Sequence, residues 1–74
     1  MSVDVTVRQA EIFTFLEEYI EKKGYAPTRA EISEHFGFSS NNASEQHLRA
    51  LEKKGAIRID SRISRGIVLL AKSR

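Results

Sequence analysis

Apolar side chains recur at helical spacing early in the chain: Ile12, Phe13, Leu16, Tyr19 and Ile20 share one stripe between Thr6 and Gly24. The stripe opens on Thr6-Val7-Arg8-Gln9, the form of a capping box, in which the threonine oxygen accepts from the Gln9 amide while the Gln9 side chain reaches back. Lys22 and Lys23 stand in the last turn, where the helix dipole favours cations, and Gly24 supplies a left-handed stop. A helix over about 7–23 is predicted, with Phe15 either widening its buried face or packing at an edge. Tyr25-Ala26-Pro27 must be extended or turned, because proline disfavours helical geometry in the residue before it. Thr28-Arg29-Ala30-Glu31 is a second capping box. It opens a short helix over about 29–36 with Ala30, Ile32 and Phe36 inward and Gly37 as its stop. Ser39 or Ser40 then caps a third helix over about 41–54, with Ala43, His47, Leu48 and Leu51 inward and Gly55 at its end.

Only Gly37, Phe38 and one or two serines join the second helix to the third, too short a link for antiparallel packing, so the two must cross steeply as in a helix-turn-helix. After Gly55 the period moves from helical toward two: Ala56-Ile57-Arg58-Ile59-Asp60 alternates, and Ile67-Val68-Leu69-Leu70 is apolar and β-branched. Strands over about 56–60 and 66–70 are predicted, joined by a polar loop, Ser61 to Gly66, that carries Arg62 and Arg65. The expected fold is therefore mainly α (α+β): one domain over 1–74, a winged helix-turn-helix of three helices followed by a two-stranded β-hairpin wing.

Composition narrows the function. Seventy-four residues build one small core and leave no room for a large substrate cavity. There is no cysteine, hence no disulfide and no thiolate ligand or nucleophile, which fits a reducing cytoplasm. No apolar run approaches the roughly 20 residues of a membrane span. The net charge of +2 hides a division. Residues 1–48 hold four Lys or Arg against eight Asp or Glu, a net of −4, whereas residues 49–74 hold eight against two, a net of +6. A surface that approaches phosphates while the remainder stays acidic has this asymmetry.

A helix fits the major groove of duplex DNA, and its first residues reach base edges. In the third helix these are Ser40, Asn41, Asn42, Ala43, Ser44, Glu45 and Gln46. Asn and Gln can bond adenine bidentately, Glu can accept from the cytosine amino group, and Ala can touch the thymine methyl. By itself Ser-Ser-Asn-Asn is also ordinary turn and cap chemistry; the preceding helix and the following wing favour the reading role. Phosphate contacts are expected from Thr28, Arg29, Ser39, Arg49 and Lys53 around that helix and from Arg62 and Arg65 on the wing. Lys54 is turned about 100° from Lys53 and balances the helix dipole. An enzyme is disfavoured: His35 and His47 lie on different helices without a metal-binding spacing, and neither a Gly-x-Ser-x-Gly elbow nor a phosphate-binding glycine loop occurs. No catalytic residue, metal or cofactor is expected. A winged helix used for protein contact would need exposed apolar residues on the third helix, where the outward positions are polar.

Pro27-Thr28-Arg29-Ala30-Glu31-Ile32, Gly37-Phe38, Asn42-Ala43 and His47-Leu48-Arg49-Ala50-Leu51, in that order, resemble the LexA repressors of the bacterial SOS response. Lys54-Gly55-Ala56-Ile57 and Ser64-Arg65-Gly66-Ile67 carry the similarity through the wing, so that it runs from about Arg8 to Leu70. The resemblance implies the DNA-binding part of a cytoplasmic, nucleoid-associated repressor that occupies palindromic operators as a dimer and is removed by self-cleavage after DNA damage. It further implies that dimerisation and the serine-lysine protease belong to a separate C-terminal domain, with the scissile bond in an Ala-Gly pair. Neither that pair nor that domain occurs in these residues. The expectation is an excised reading head, monomeric in isolation, with a stand-alone phage- or plasmid-type regulator as the alternative. By resemblance, Ser40, Asn42, Ala43 and Glu45 match positions used at the bases. Asn41, Ser44 and Gln46 depart from the proline, alanine and glutamate of the best-known members. Those exchanges argue against carrying over their operator unchanged.

Overall fold

The computed structural model describes residues 6–71. Helix α1 spans Val7–Lys23, α2 Arg29–Phe36 and α3 Asn41–Lys53, and strands β1 (Ile57–Ile59) and β2 (Ile67–Leu69) form an antiparallel pair. Both capping boxes are closed. Thr6 Oγ1 accepts from the Gln9 amide at 3.1 Å and Gln9 Oε1 from the Thr6 amide at 3.2 Å. The corresponding distances for Thr28 and Glu31 are 3.2 and 2.8 Å. Ser40 is the extended residue before α3, but its side chain makes no cap bond, so the cap chemistry expected from a serine there does not form.

Helix α3 is the central element. It packs on α1, α2 and β1. Ser44, Leu48 and Leu51 recur at i, i+4 and i+7 along its buried face. Leu48 and Leu51 meet Ile12, Phe13 and Leu16 of α1, Ile32 of α2, and Ala26, Ala56, Ile57 and Ile67 in one core cluster. Deleting a buried leucine from so small a core costs about 2–5 kcal/mol, a large share of what a domain of this length can hold.

Two inward assignments change. Ala30 is exposed and Ser33 takes the buried place, because Ala30 lies two positions from Ile32, about 200° around the helix. Ala43 is only half-buried, and Ser44 lies fully inside. Phe15 resolves as an edge residue, stacked on His35 with ring centroids 4.2 Å apart and edge-on to Phe36.

The hairpin pairs Ile57 with Leu69, Arg58 with Val68 and Ile59 with Ile67, a shorter ladder than the alternation predicts. Beyond Ile59 the chain leaves the ladder for consecutive turns: the Ile63 amide donates to the Asp60 carbonyl and the Gly66 amide to that of Ile63, both at 3.1 Å. The Asp60 amide closes the loop on the Gly66 carbonyl at 2.7 Å. A Cβ at Gly66 would stand 2.5 Å from the Asp60 oxygen, so this crossing requires glycine. Glu52 ties the wing to α3 by accepting from the Ile59 amide at 2.9 Å.

Candidate nucleic-acid interface

The α2–α3 turn is held by main-chain bonds: the amides of Gly37, in the left-handed region at φ 71°, and of Phe38 donate to the carbonyl of Ser33. The first turn of α3 therefore projects from a fixed corner. Ser39, Ser40, Asn41, Asn42 and Gln46 are exposed there. Ala43 is half-buried beside them, and His47 packs its ring over Phe38 at 5.6 Å. The exposed set is uncharged and rich in groups that both donate and accept, which is the chemistry of base edges.

Ser44 does not belong to it. Its relative exposure is 0%, and its hydroxyl lies 2.6 Å from that of Ser33 in the α2–α3 seam. It faces α2 because it stands four residues before Leu48, on the buried stripe. That spacing is legible in the sequence, where the polarity of serine conceals it.

Glu45 is half-buried between two guanidinium groups, those of Arg29 on α2 and Arg49 one turn along α3. The Arg29 hydrogen bond, opposed by desolvation and helped by Arg49, holds its carboxyl below the usual carboxylate range. The pairing bridges the two helices of the motif and presents Arg29 and Arg49 at one edge of the reading turn. Arg49 also reaches Glu52 at 3.4 Å. Its side chain remains half exposed, so a phosphate can compete for it. Lys53 is exposed. Thr28 spends its hydroxyl oxygen as acceptor in the cap and keeps its proton to donate. Lys54 does more than balance a dipole: its ammonium reaches Gln9 of the α1 capping box at 3.2 Å.

The two wing arginines separate. Arg62 points to solvent at 88% exposure, bonded among the described residues to Asp60 of its own loop at 3.1 and 3.3 Å, and it draws the Asp60 carboxyl below its ordinary range. It stays available to a phosphate. Arg65 turns back onto the helices, so a phosphate would have to compete with Glu31 for it. It donates to both carboxylate oxygens of Glu31 at 2.8 and 3.0 Å and to the Ala26 carbonyl at 3.0 Å, with its guanidinium 4.6 Å from the centre of the Tyr25 ring. A bidentate pair of this form fixes geometry as well as charge.

Glu31 thus joins three elements, a role hidden from the sequence behind its capping position. It caps α2, receives Arg65 from the wing, and accepts from the Tyr19 hydroxyl of α1 at 3.1 Å. The Arg65 bond, then the Thr28 amide, lowers its carboxyl from 4.5 to about 2.

Among the described residues no His, Asp or Glu cluster could hold a metal, and no helix is long and apolar enough to cross a membrane.

Residues 2–66 match the model of the LexA DNA binding domain. The chain belongs to that family. It is 58% identical over 66 residues to a LexA repressor of Thiobacillus denitrificans, covering 89% of this chain and 33% of that protein. A LexA repressor of Actinobacillus succinogenes is 56% identical over 66 residues, 89% of this chain and 31% of that protein. One of Burkholderia mallei is 50% identical over 68 residues, 92% of this chain and 32% of that protein. The chain spans about a third of the length of these curated relatives. Within the matched stretch lie both helices of the LexA-type helix-turn-helix and the wing as far as Gly66. The fold is thus a winged helix of the LexA type, a sequence-specific DNA-binding domain.

Proposed function

We propose that this chain is the operator-reading head of a LexA-type transcriptional repressor of the DNA-damage response, with α3 in the major groove of duplex DNA. The observation that carries the reading is the first turn of α3: an exposed, uncharged Ser40-Asn41-Asn42 with Gln46, at a corner flanked by Arg29 and Arg49. Asn42 and Gln46 read base edges, and Ala43 lies close enough to the same surface to touch a thymine methyl. Glu45 contributes as acceptor to a cytosine amino group or by orienting the two arginines. Thr28, Arg29, Ser39, Arg49, Lys53 and Arg62 contact phosphates. Arg65, part-exposed, holds the wing that carries Arg62 and contacts a phosphate in competition with Glu31. The outward face of α3 is polar, so a helix-in-groove protein contact has no apolar anchor there.

Palindromic operators pair two such heads, and the dimerising, self-cleaving part of the repressor lies outside the matched third. The head itself needs no cofactor or catalytic residue, works in the cytoplasm at the nucleoid, and as an isolated chain is monomeric and binds one half-site. Binding selection from random duplexes at stated salt tests the reading. Asn42→Ala is expected to cost about 1–3 kcal/mol on the selected duplex and to relax preference at one base step. Equal losses on selected and random DNA would contradict the assignment.

A further inference from the structure

The seam between α2 and α3 contains two buried hydroxyls that base reading does not use. Ser33 is 5% exposed and Ser44 0%. Their Oγ atoms are 2.6 Å apart, and Ser33 Oγ also lies 3.2 Å from the carbonyl oxygen of Ser40. A carbonyl cannot donate, so the Ser33 proton is committed to Ser40, and the short bond must take its proton from Ser44. The order Ser44 to Ser33 to Ser40 is the one that gives both bonds a hydrogen. The main chain of Ser33 adds to the grip, since its carbonyl receives the amides of Gly37 and Phe38. One residue of α2 thereby holds the turn where it begins and α3 where it starts. Apart from the Glu45–Arg29 pair, the start of α3 has little other tether: the Ser40 side chain makes no cap bond, and Asn41 lacks the fixed φ that proline would supply at a first helical position.

We propose that Ser33 and Ser44 are positioning residues, forming a hydroxyl relay that sets the pose of the first turn of α3 against α2 and so tunes base choice without contacting DNA. The claim about base choice rests on the reading-head assignment. Stability alone does not call for the relay, because replacing both partners of a buried hydrogen bond by apolar groups is nearly neutral. What the relay adds over methyl contact is direction. Apolar packing tolerates small slides along the seam, whereas two linked bonds, one of them at 2.6 Å, fix the distance of Ser40 from α2.

The test compares the full chain with Ser33→Ala, Ser44→Ala and the double variant. Three quantities are read: the urea midpoint, amide hydrogen exchange, and the ratio of affinities for a duplex recovered by the wild-type chain from a random pool and for random duplex. Ser33→Ala leaves the Ser44 hydroxyl buried without a partner and lowers the urea midpoint; the double variant recovers it. The affinity ratio stays reduced by about three- to tenfold in the double variant. Amides of Ser44, Glu45 and Gln46, which bond carbonyls in the first turn, exchange faster in it than in wild type, while those of Leu51 to Lys53 do not. A stable double variant with wild-type selectivity and wild-type exchange in the first turn would overturn the proposal. A wild-type chain that recovers no preferred sequence would overturn the reading head and the claim about base choice together. The exchange comparison distinguishes these failures, since it needs no DNA.

Discussion

Helices α1 and α2 begin with the same local device, a threonine that accepts from the amide three residues on and a longer side chain that returns the bond. At the start of α1 the box is exposed, and Gln9 also takes the Lys54 ammonium. At the start of α2 the box is half-buried, and its glutamate also takes Arg65 from the wing and the Tyr19 hydroxyl from α1. Identical chemistry along the chain thus ends one helix in water and makes the other a junction of three elements. The difference comes from neighbours. A carboxylate has two charged oxygens and takes a guanidinium bidentately, whereas the neutral Gln9 amide offers a single oxygen, shared here between the Thr6 amide and the Lys54 ammonium. The second box also lies beside Tyr25 and Ala26, against which Arg65 can pack its plane and find a carbonyl.

Gln9 and Glu31, the side chains that return the bond, should separate the two helix starts most strongly. Glu31→Ala is expected to lower the urea midpoint far more than Gln9→Ala, because it removes the cap, the wing's anchor and the Tyr19 partner together; equal losses would mean that the junction adds nothing to the cap. Smaller effects follow at the threonines. Thr28→Ala should cost about 1–2 kcal/mol and Thr6→Ala about 0.5 kcal/mol by thermal or urea unfolding, since a cap on a partly buried helix start has no water to replace it.

Acid gives the gentlest test. With the carboxyl lowered from 4.5 to about 2, the stabilisation from Glu31 is fully present above pH 4.5 and is lost as the pH falls toward 2. Arg65→Ala should move the Glu31 titration, followed by carboxyl NMR, back up toward 4.5 and flatten that part of the pH profile. A Glu31 titration that stays near 2 in that variant would show that the cap alone depresses it.

The wing shows a similar division on a smaller scale. Arg62 and Arg65 stand three residues apart in one loop, and local sequence makes them equivalent as phosphate contacts. Asp60 holds the first over solvent and Glu31 draws the second inward. Nothing local marks the choice, because Glu31 is 34 residues away in the chain. The serines of α3 divide likewise: Ser40 stays outside, and Ser44, four residues on, is sealed in the seam.

Local sequence suffices for the order of the elements and for the ends of α1 and α2. Capping boxes, stop glycines and apolar periods are short-range physics, and they place α1, α2, the start of α3 and the two strands without reference to anything distant. It also determined the family and the exposed, uncharged face that the first turn of α3 presents. Tertiary structure alone decided which polar side chains remain free. Whether the Ser44 hydroxyl finds Ser33, whether Arg65 meets phosphate or Glu31, and whether Glu45 is also held by Arg29 depends on pairings 11 to 34 residues apart. Periodicity can mark an inward face, as it does for Ser44, but it does not name the partner, because a polar group is chosen there for what the fold brings to it.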